Sequence, residues 1–412
     1  MPSPFRSVEL APKDPILGMT EAFNADERPF KINLGVGVYT DENGKVPVLA
    51  AVREAENQRA TKALARSYLP IDGIVPYNAL TQKLLFGDGA KILADGRVVT
   101  AQALGGTGGL KIGADFLHQL TPNAEVLISD PSWENHLALF TQAGFNVRYY
   151  PYYDAATRGI DFDGMIAAFE AAAPGTIVVL HACCHNPTGA DPDQAQWAKI
   201  LEIVAARGLM PFLDIAYQGF ATGVEADAAV VRAFADSGME FLVSSSFSKS
   251  FSLYGERVGA LSIVTADKSE SARVLSQLKR LIRTNYSNPP THGGATVTAV
   301  LSEPRLRGMW EEELGGMRDR IRAMRVGLVA RLRERMPDAD FDHIEKQRGM
   351  FSYSGLTARQ VERLRDEFAI YALSTGRMCV ASLNEGNIDA VADAIATVCK
   401  ADSHADQAPD FR

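Results

Sequence analysis

Lys249 stands in Ser244-Ser245-Ser246-Phe247-Ser248-Lys249, and Leu253-Tyr254-Gly255-Glu256-Arg257-Val258-Gly259 follows closely. Upstream, Asp214 ends the apolar run Phe212-Leu213-Asp214-Ile215 just before Tyr217. A solitary lysine is usually a solvated surface charge. Here an amine nucleophile is flanked by hydroxyls, a nearby arginine and a carboxylate at a strand end. These are the parts that hold pyridoxal phosphate: the amine links covalently to the aldehyde, Ser246, Ser248 and Arg257 donate to the phosphate, and the carboxylate pairs with the ring nitrogen.

Other residues extend the constellation. Gly105-Gly106-Thr107-Gly108 sits between a strand pattern and a helix pattern, where backbone N–H groups and a helix N-terminus suit an anion. Alone it is weak, and without a full G-x-G-x-x-G and a well-placed acid a dinucleotide loop is the poorer reading. Tyr217 and Asn186 can reach the cofactor's phenolic oxygen. Trp133 can stack on its ring, although a tryptophan is more often core, and His136 can orient Asp214 or be merely structural. Arg377 and Arg283 carry planar forks able to clamp carboxylates, though either alone would ordinarily be a surface charge.

These residues need elements to position them. Strand patterns at Val98–Ala101, Glu125–Ser129, Thr176–Leu180, Met210–Leu213 and Phe241–Val243 alternate with helical patterns near 110–120, 136–143 and 193–206. Such alternation implies an α/β fold with a mostly parallel sheet between helices, whose ligands gather at the carboxyl ends of the strands. Gly106, Trp133, Asn186, Asp214 and Lys249 all fall in or beside those loops. The last third changes character. Glu303–Met336 is a long helical pattern, a capping box at Thr357–Gln360 opens another, and short strands are expected at 351–354 and 378–381. A smaller α/β domain follows, which the N-terminal segment is expected to join. The expected division is an arm at 1–12, a large domain at 45–315, a small domain at 13–44 and 316–400, and a polar tail at 401–412.

The 412-residue chain is 46% hydrophobic and 22% charged, ordinary for a soluble globular protein of two or three domains. Its formal charge of -8 disfavours nucleic acid as the main partner. Cys183, Cys184, Cys379 and Cys399 form no C-x-x-C pair, so no metal site is expected. With neither a signal-peptide pattern nor a stretch of about 18 apolar residues, a reduced cytoplasmic enzyme without membrane contact is the expectation.

The chain resembles the class I (fold type I) aminotransferases, in the aspartate and aromatic subgroup. The likeness runs in order through Asn33-Leu34-Gly35-Val36-Gly37-Val38-Tyr39, Tyr68-Leu69-Pro70-Ile71-Asp72-Gly73, Gly105-Gly106-Thr107-Gly108, Cys183-Cys184-His185-Asn186-Pro187-Thr188-Gly189, Asp214-Ile215-Ala216-Tyr217-Gln218-Gly219-Phe220, Ser246-Phe247-Ser248-Lys249, Asn285-Tyr286-Ser287-Asn288-Pro289-Pro290 and Arg348-Gly349-Met350-Phe351-Ser352. It spans about residues 10 to 400. Segments 130–136, 252–257 and 376–380 look more like the bacterial aromatic-amino-acid (tyrosine) enzymes, since the stricter aspartate enzymes usually carry Asn where Gly255 stands.

The resemblance implies transamination of tyrosine, phenylalanine and aspartate with 2-oxoglutarate, in a ping-pong cycle through pyridoxamine phosphate. It implies that Lys249 carries the cofactor and shuttles a proton. Gly105, Gly106, Thr107, Ser246, Ser248 and Arg257 hold the phosphate, joined by Tyr68 of a second subunit. Asp214, Asn186, Tyr217 and Trp133 hold the ring. Arg377 takes the α-carboxylate beside Gly37, and Arg283 of the neighbouring subunit meets a side-chain carboxylate. A homodimer with shared sites follows, as does closure of the small domain over substrate. The rival readings are an enzyme restricted to aspartate and glutamate, a pyridoxal decarboxylase or β-lyase, and a non-enzymatic binding module.

Overall fold

The computed structural model describes residues 3–11 and 15–405. Residues 1, 2 and 12 of the expected arm, 13 and 14 of the segment after it, and 406–412 of the expected tail lie outside the described residues.

Seven strands form the central sheet: β1 (Val98–Leu104), β2 (Glu125–Asp130), β3 (Asn146–Pro151), β4 (Ile177–His181), β5 (Met210–Ile215), β6 (Phe241–Ser246) and β7 (Val258–Val264). Their spatial order is β1-β7-β6-β5-β4-β2-β3. Every adjacent pair is parallel except those made by β7, which runs antiparallel to both neighbours. The inner strands β4 to β7 are almost wholly buried, because helices cover both faces. β6 is unusual in that its last three residues, Ser244–Ser246, are buried hydroxyls. A hydroxyl in such a place must find a partner, and Ser244 Oγ donates to the Gly106 carbonyl at 2.8 Å.

That contact fixes the start of a helix the sequence alone misplaces. The glycine run is not a turn ahead of a helix at 110. The helix spans Gly105–Leu120 and the glycines form its first turns. Its closeness to the sheet explains them: a Cβ on Gly109 would lie 2.9 Å from the Ala260 carbonyl oxygen, and one on Gly113 would lie 2.5 Å from Phe212 Cζ. The antiparallel β7 was also not anticipated, since its buried run reads like any other inner strand.

Elsewhere the elements follow their signals. Asp193 and Thr357 cap Gln194–Arg207 and Ala358–Phe368 through complete capping boxes. Ile32–Asn33 pairs in parallel with Ile370–Tyr371, and Phe351–Tyr353 pairs antiparallel with Arg377–Cys379. The helix at the C-terminus, Ile388–Ala405, runs into the first residues of the expected tail. Pro304–Arg335 is one unbroken 32-residue helix. Its first half meets the large sheet unit, where Trp310 stacks on Phe251 at 4.6 Å and donates to the Ser250 carbonyl at 2.6 Å. Its second half carries Arg331 and Arg335, which pair with Asp389 and Asp393 of the last helix.

The glycine packing is testable by urea denaturation. Gly109→Ala forces a methyl against an immovable carbonyl and is expected to cost about 1–3 kcal/mol. Gly308→Ala, whose Cβ meets nothing within 4 Å in the long helix, is expected to be neutral or stabilising by about 0.5–1 kcal/mol.

Candidate active site

A cavity of about 270 Å³ opens at the carboxyl edge of the sheet. Of the residues expected from the sequence, Gly37, Gly106, Thr107, Trp133, Asn186, Asp214, Tyr217, Ser246, Ser248, Lys249, Arg257 and Arg377 line it. Gly105 stands just behind, its N–H donating to the Arg257 carbonyl at 3.0 Å. Tyr68 and Arg283 do not reach this cavity. Tyr68 is 92% exposed, and Arg283 is exposed at the end of the helix Lys268–Asn285, donating to Ser287 Oγ.

Asp214 projects from the end of β5 and is 5% exposed. His136 Nε2 lies 2.9 Å from its Oδ2, and Ser132 Oγ lies 3.0 Å from His136 Nδ1. The carboxylate can only accept, so His136 donates through Nε2 and accepts from Ser132 at Nδ1. Burial pushes the Asp214 carboxyl up, but the His136 hydrogen bond and the charge of Lys249 outweigh it, leaving it below the ordinary value. Asp214 therefore stays an anion in a nearly dry place. His136, His181 and Asp214 bring ligand atoms within 4.8 Å of one another. Burial, with His136 nearby, lowers His181 to about 3, so it is a neutral imidazole.

Lys249 faces this anion from the loop after β6. Its Nζ sits 4.8 Å above the centre of the Tyr217 ring. Burial lowers the amine to about 8, against the pull of Asp214 and with help from the repulsion of Arg257. The Tyr217 phenol is pushed up by burial, with Arg377 opposing, and stays protonated.

The anion cradle is built from the other end of the cavity. The Gly105–Leu120 helix directs its N-terminal amides and positive dipole end there. Arg257 Nη1 donates to Ser248 Oγ at 3.4 Å and to the Tyr254 carbonyl at 2.9 Å. Its own backbone is left-handed, φ 53°, a strained conformation for a side-chain-bearing residue. A Cβ on Gly105 would come within 2.5 Å of Arg257 Nη2, and one on Gly106 within 3.2 Å of Ser246 Cβ. A side chain at either position would crowd the guanidinium or the Ser246 side chain at this end of the cavity. Together with a carboxylate for a ring nitrogen and an amine for an aldehyde, this donor set fits pyridoxal phosphate.

Arg377 is 1% exposed. It donates to Asn186 Oδ1 at 3.1 Å and to the Gly35 carbonyl at 2.7 Å, and its guanidinium lies 4.3 Å from the Phe351 ring centre. Its buried Nε has no partner among the described residues. A buried cation with a spare donor on the cavity wall suits a carboxylate. Asn186 is presented by a loop that Asp191 organises, accepting from the N–H groups of Cys184 and His185 at 2.7 and 2.8 Å.

Sequence reasoning missed His181, Tyr254 and Phe351 as cavity residues, along with Leu110 and Ala216. His181 ends β4 as Asp214 ends the neighbouring β5, and the two are register partners. That strand-end position was the available signal. Phe351 and Tyr254 gave none, since an aromatic in a short strand or loop reads as core.

An α/β fold that brings an amine, a buried carboxylate, an anion cradle and a buried arginine to one strand edge defines an enzyme handling small charged substrates through a lysine. The chain belongs to the class I and II aminotransferase family, whose model matches residues 29–395. It is 61% identical to an aspartate aminotransferase of Pseudomonas aeruginosa, across 96% of this chain and 99% of that relative. It is 50% identical to an aromatic-amino-acid aminotransferase of Escherichia coli K12, across 96% and 100%. A solved aromatic-amino-acid aminotransferase of Burkholderia pseudomallei, covalently bound to pyridoxal phosphate, superposes with a TM-score of 0.95. It shares 68% identity, over 96% of this chain and 99% of that one. The protein is an aminotransferase.

The lowered amine of Lys249 makes a pH prediction for the cofactor-free protein. Between about 8 and the ordinary lysine value of 10.5, the unfolded chain binds more protons than the folded one, so stability contributed by this group rises with pH. Relative to Lys249→Met, the wild-type apoprotein is expected to gain roughly 2–3 kcal/mol between the two ends of that window. Urea titrations in matched buffers measure it, and parallel pH profiles would contradict it.

Proposed function

We propose that this aminotransferase uses pyridoxal phosphate to move amino groups from tyrosine, phenylalanine and aspartate to 2-oxoglutarate. The observation that carries the reading is the meeting of Lys249, Asp214 and Arg377 in one cavity with the glycine–hydroxyl–arginine cradle. When bound, the cofactor supplies an electron sink conjugated to the substrate's Cα.

The chain's own residues do the rest. Gly105, Gly106, Thr107, Ser246, Ser248 and Arg257 grip the phosphate. Asp214, kept anionic by His136, holds a proton on the ring nitrogen. Tyr217 and Asn186 hydrogen-bond the ring oxygen, and Trp133 covers a ring face. Arg377 binds the α-carboxylate next to Gly37, retaining that group and leaving the Cα–H bond as the one to break. This grip disfavours a decarboxylase. Lys249 first anchors the cofactor. Its amine would then take and return the proton at the substrate's Cα. A value near 8 gives it both forms near neutral pH, as a proton shuttle requires.

Tyr68 and Arg283, exposed and outside their own cavity, are assigned to the site of a second subunit, which makes the working unit a homodimer. Arg283 meets the side-chain carboxylate of aspartate and swings outward for an aromatic ring, since an unpaired cation buried against the ring would be costly. The 61% identity to an aspartate aminotransferase keeps an aspartate-restricted enzyme as the second reading. We assign 1–12 as an arm, 45–315 as the large domain, 13–44 and 316–400 as the small one, and 401–412 as a tail. The pairing of Ile32–Asn33 with Ile370–Tyr371 supports the composite small domain. The boundary near 315 falls inside Pro304–Arg335, so that helix is the element along which closure over substrate is transmitted. Among the described residues no helix is long and apolar enough to cross a membrane. The buried thiols of Cys183, Cys184 and Cys379 suit a reducing compartment, and the cytoplasm is the assigned location.

The test is spectroscopic. Holoenzyme is titrated separately with L-tyrosine and L-aspartate without a keto acid, following the visible band of the bound cofactor. Loss of that band with both donors at comparable concentrations is the expected result, and conversion by aspartate alone selects the second reading. Lys249→Ala should lower transamination by at least about a thousandfold. Arg283→Leu should lower kcat/KM for aspartate by roughly a hundredfold while sparing tyrosine. Equal losses for both substrates would contradict the assigned role of Arg283.

A further inference from the structure

The long helix Pro304–Arg335 carries a second basic feature, remote from the cradle and independent of the reading above. Arg318, Arg322 and Arg325 lie at i, i+4 and i+7, one face of the helix. They line a cleft of about 710 Å³ whose other walls are the 220–222 loop and the segment 345–349, which adds Lys346 and Arg348. Two acids also line it. Asp319 is taken up by Arg318 Nε at 3.3 Å, and Glu345 lies 3.4 Å from Arg333 Nη1. Five basic groups against two acidic ones leave a local excess of three positive charges on a chain whose net charge is -8.

Arg325 makes the cleft more than a patch of solvated surface. It is 2% exposed, and its guanidinium donates only to main-chain carbonyls, those of Ile344, Gly349 and Phe351. Among the described residues neither it nor Arg322 has a carboxylate partner. The buried Asp191 carboxylate acts on Arg325 only from beyond ion-pair distance, and a buried guanidinium without a direct carboxylate contact has an anion as its natural complement. Planar forks on one wall and a lysine and an arginine on the other suit several anionic groups at once, rather than a single one. No residue lines both this cleft and the active-site cavity. The 347–351 segment divides them, with Arg348 and Gly349 facing the cleft and Phe351 facing the active site.

We propose that this cleft is a binding site for a small polyanion carrying two or more phosphate or carboxylate groups, held between the long helix and the 345–349 segment. It draws on Arg318, Arg322, Lys346 and Arg348, with Arg325 as the buried charge at its floor. Because Arg325 also holds the carbonyls of Gly349 and Phe351, an occupant would sit directly behind the segment that shapes the substrate pocket.

The experiment is calorimetric titration of the cofactor-loaded enzyme, whose own phosphate cradle is filled, at an ionic strength of about 0.15 M. Inorganic pyrophosphate is the phosphate probe and citrate the carboxylate probe. Saturable binding of one or both, one per chain, is expected. It should weaken by about tenfold or more in Arg322→Ala/Lys346→Ala. The double variant Arg148→Ala/Lys199→Ala, which removes the same charge at exposed positions elsewhere, should bind as wild type. The Arg322 and Lys346 side chains are exposed, so folding should survive, and an unchanged KM for amino acids in that variant would verify it. The proposal is overturned by absence of saturable binding of both probes. It is equally overturned by equal affinity in wild type and Arg322→Ala/Lys346→Ala, which would place the anion elsewhere, or by an equal loss in both double variants.

Discussion

A buried carboxylate at the end of a central strand is the constraint around which the molecule is arranged. Asp214 sits where water is nearly excluded, and an isolated anion there would take up a proton. It remains charged because His136 donates to it, and His136 can donate in that direction because Ser132 occupies its other nitrogen. The neutral His181 beside them adds no positive charge to a region already containing Lys249 and Arg257. The charge is thereby available to a ring nitrogen. Asp214 and His181 come from the ends of the neighbouring strands β5 and β4, and Ser132 and His136 both follow β2, so the arrangement requires these strands of the parallel sheet to be in register.

The opposite end of the cavity solves an opposite problem, collecting positive potential without a buried lone cation. Amides at the start of the Gly105–Leu120 helix, hydroxyls from the end of β6 and the Arg257 fork share the task. Glycine at 105 and 106 keeps their approach open, and Ser244 ties the helix start to the strand. Arg377 presents the harder case. It is almost wholly buried, yet is stabilised by Asn186, the Gly35 carbonyl and the face of Phe351 rather than by an acid. Its three contacts come from widely separated parts of the sequence, so the position of its guanidinium depends on how those segments pack together.

Arginine without an acidic partner recurs at Arg325, on the far side of the 347–351 segment. That segment is thus gripped from both faces by guanidinium groups, one through its carbonyls and one through the Phe351 ring. The long helix that supplies Arg325 also anchors Trp310 beneath the Lys249 loop. The Lys249 loop, the 347–351 segment and the basic cleft therefore all contact one helix.

Much of this was legible from residue order. Strand and helix alternation gave the mostly parallel sheet, and Gly106, Trp133, Asn186, Asp214 and Lys249 fell beside strand ends, where ligands bind in such sheets. Twelve of the expected site residues line one cavity, because strand-end position is a local property of sequence. What pattern could not supply was distance between segments. The antiparallel direction of β7 depends on its neighbours rather than on its own buried residues. The helix start at Gly105 depends on a contact with Ser244, 138 positions away. His181, Tyr254 and Phe351 enter the site only because the chain folds back on itself. The sequence by itself determined which chemistry the chain carries, since residue type and local spacing set nucleophile, acid and fork. Only the tertiary structure decided which of those groups share a cavity and which charges stay unpaired, because burial and dielectric are properties of packing and have no expression in a linear pattern.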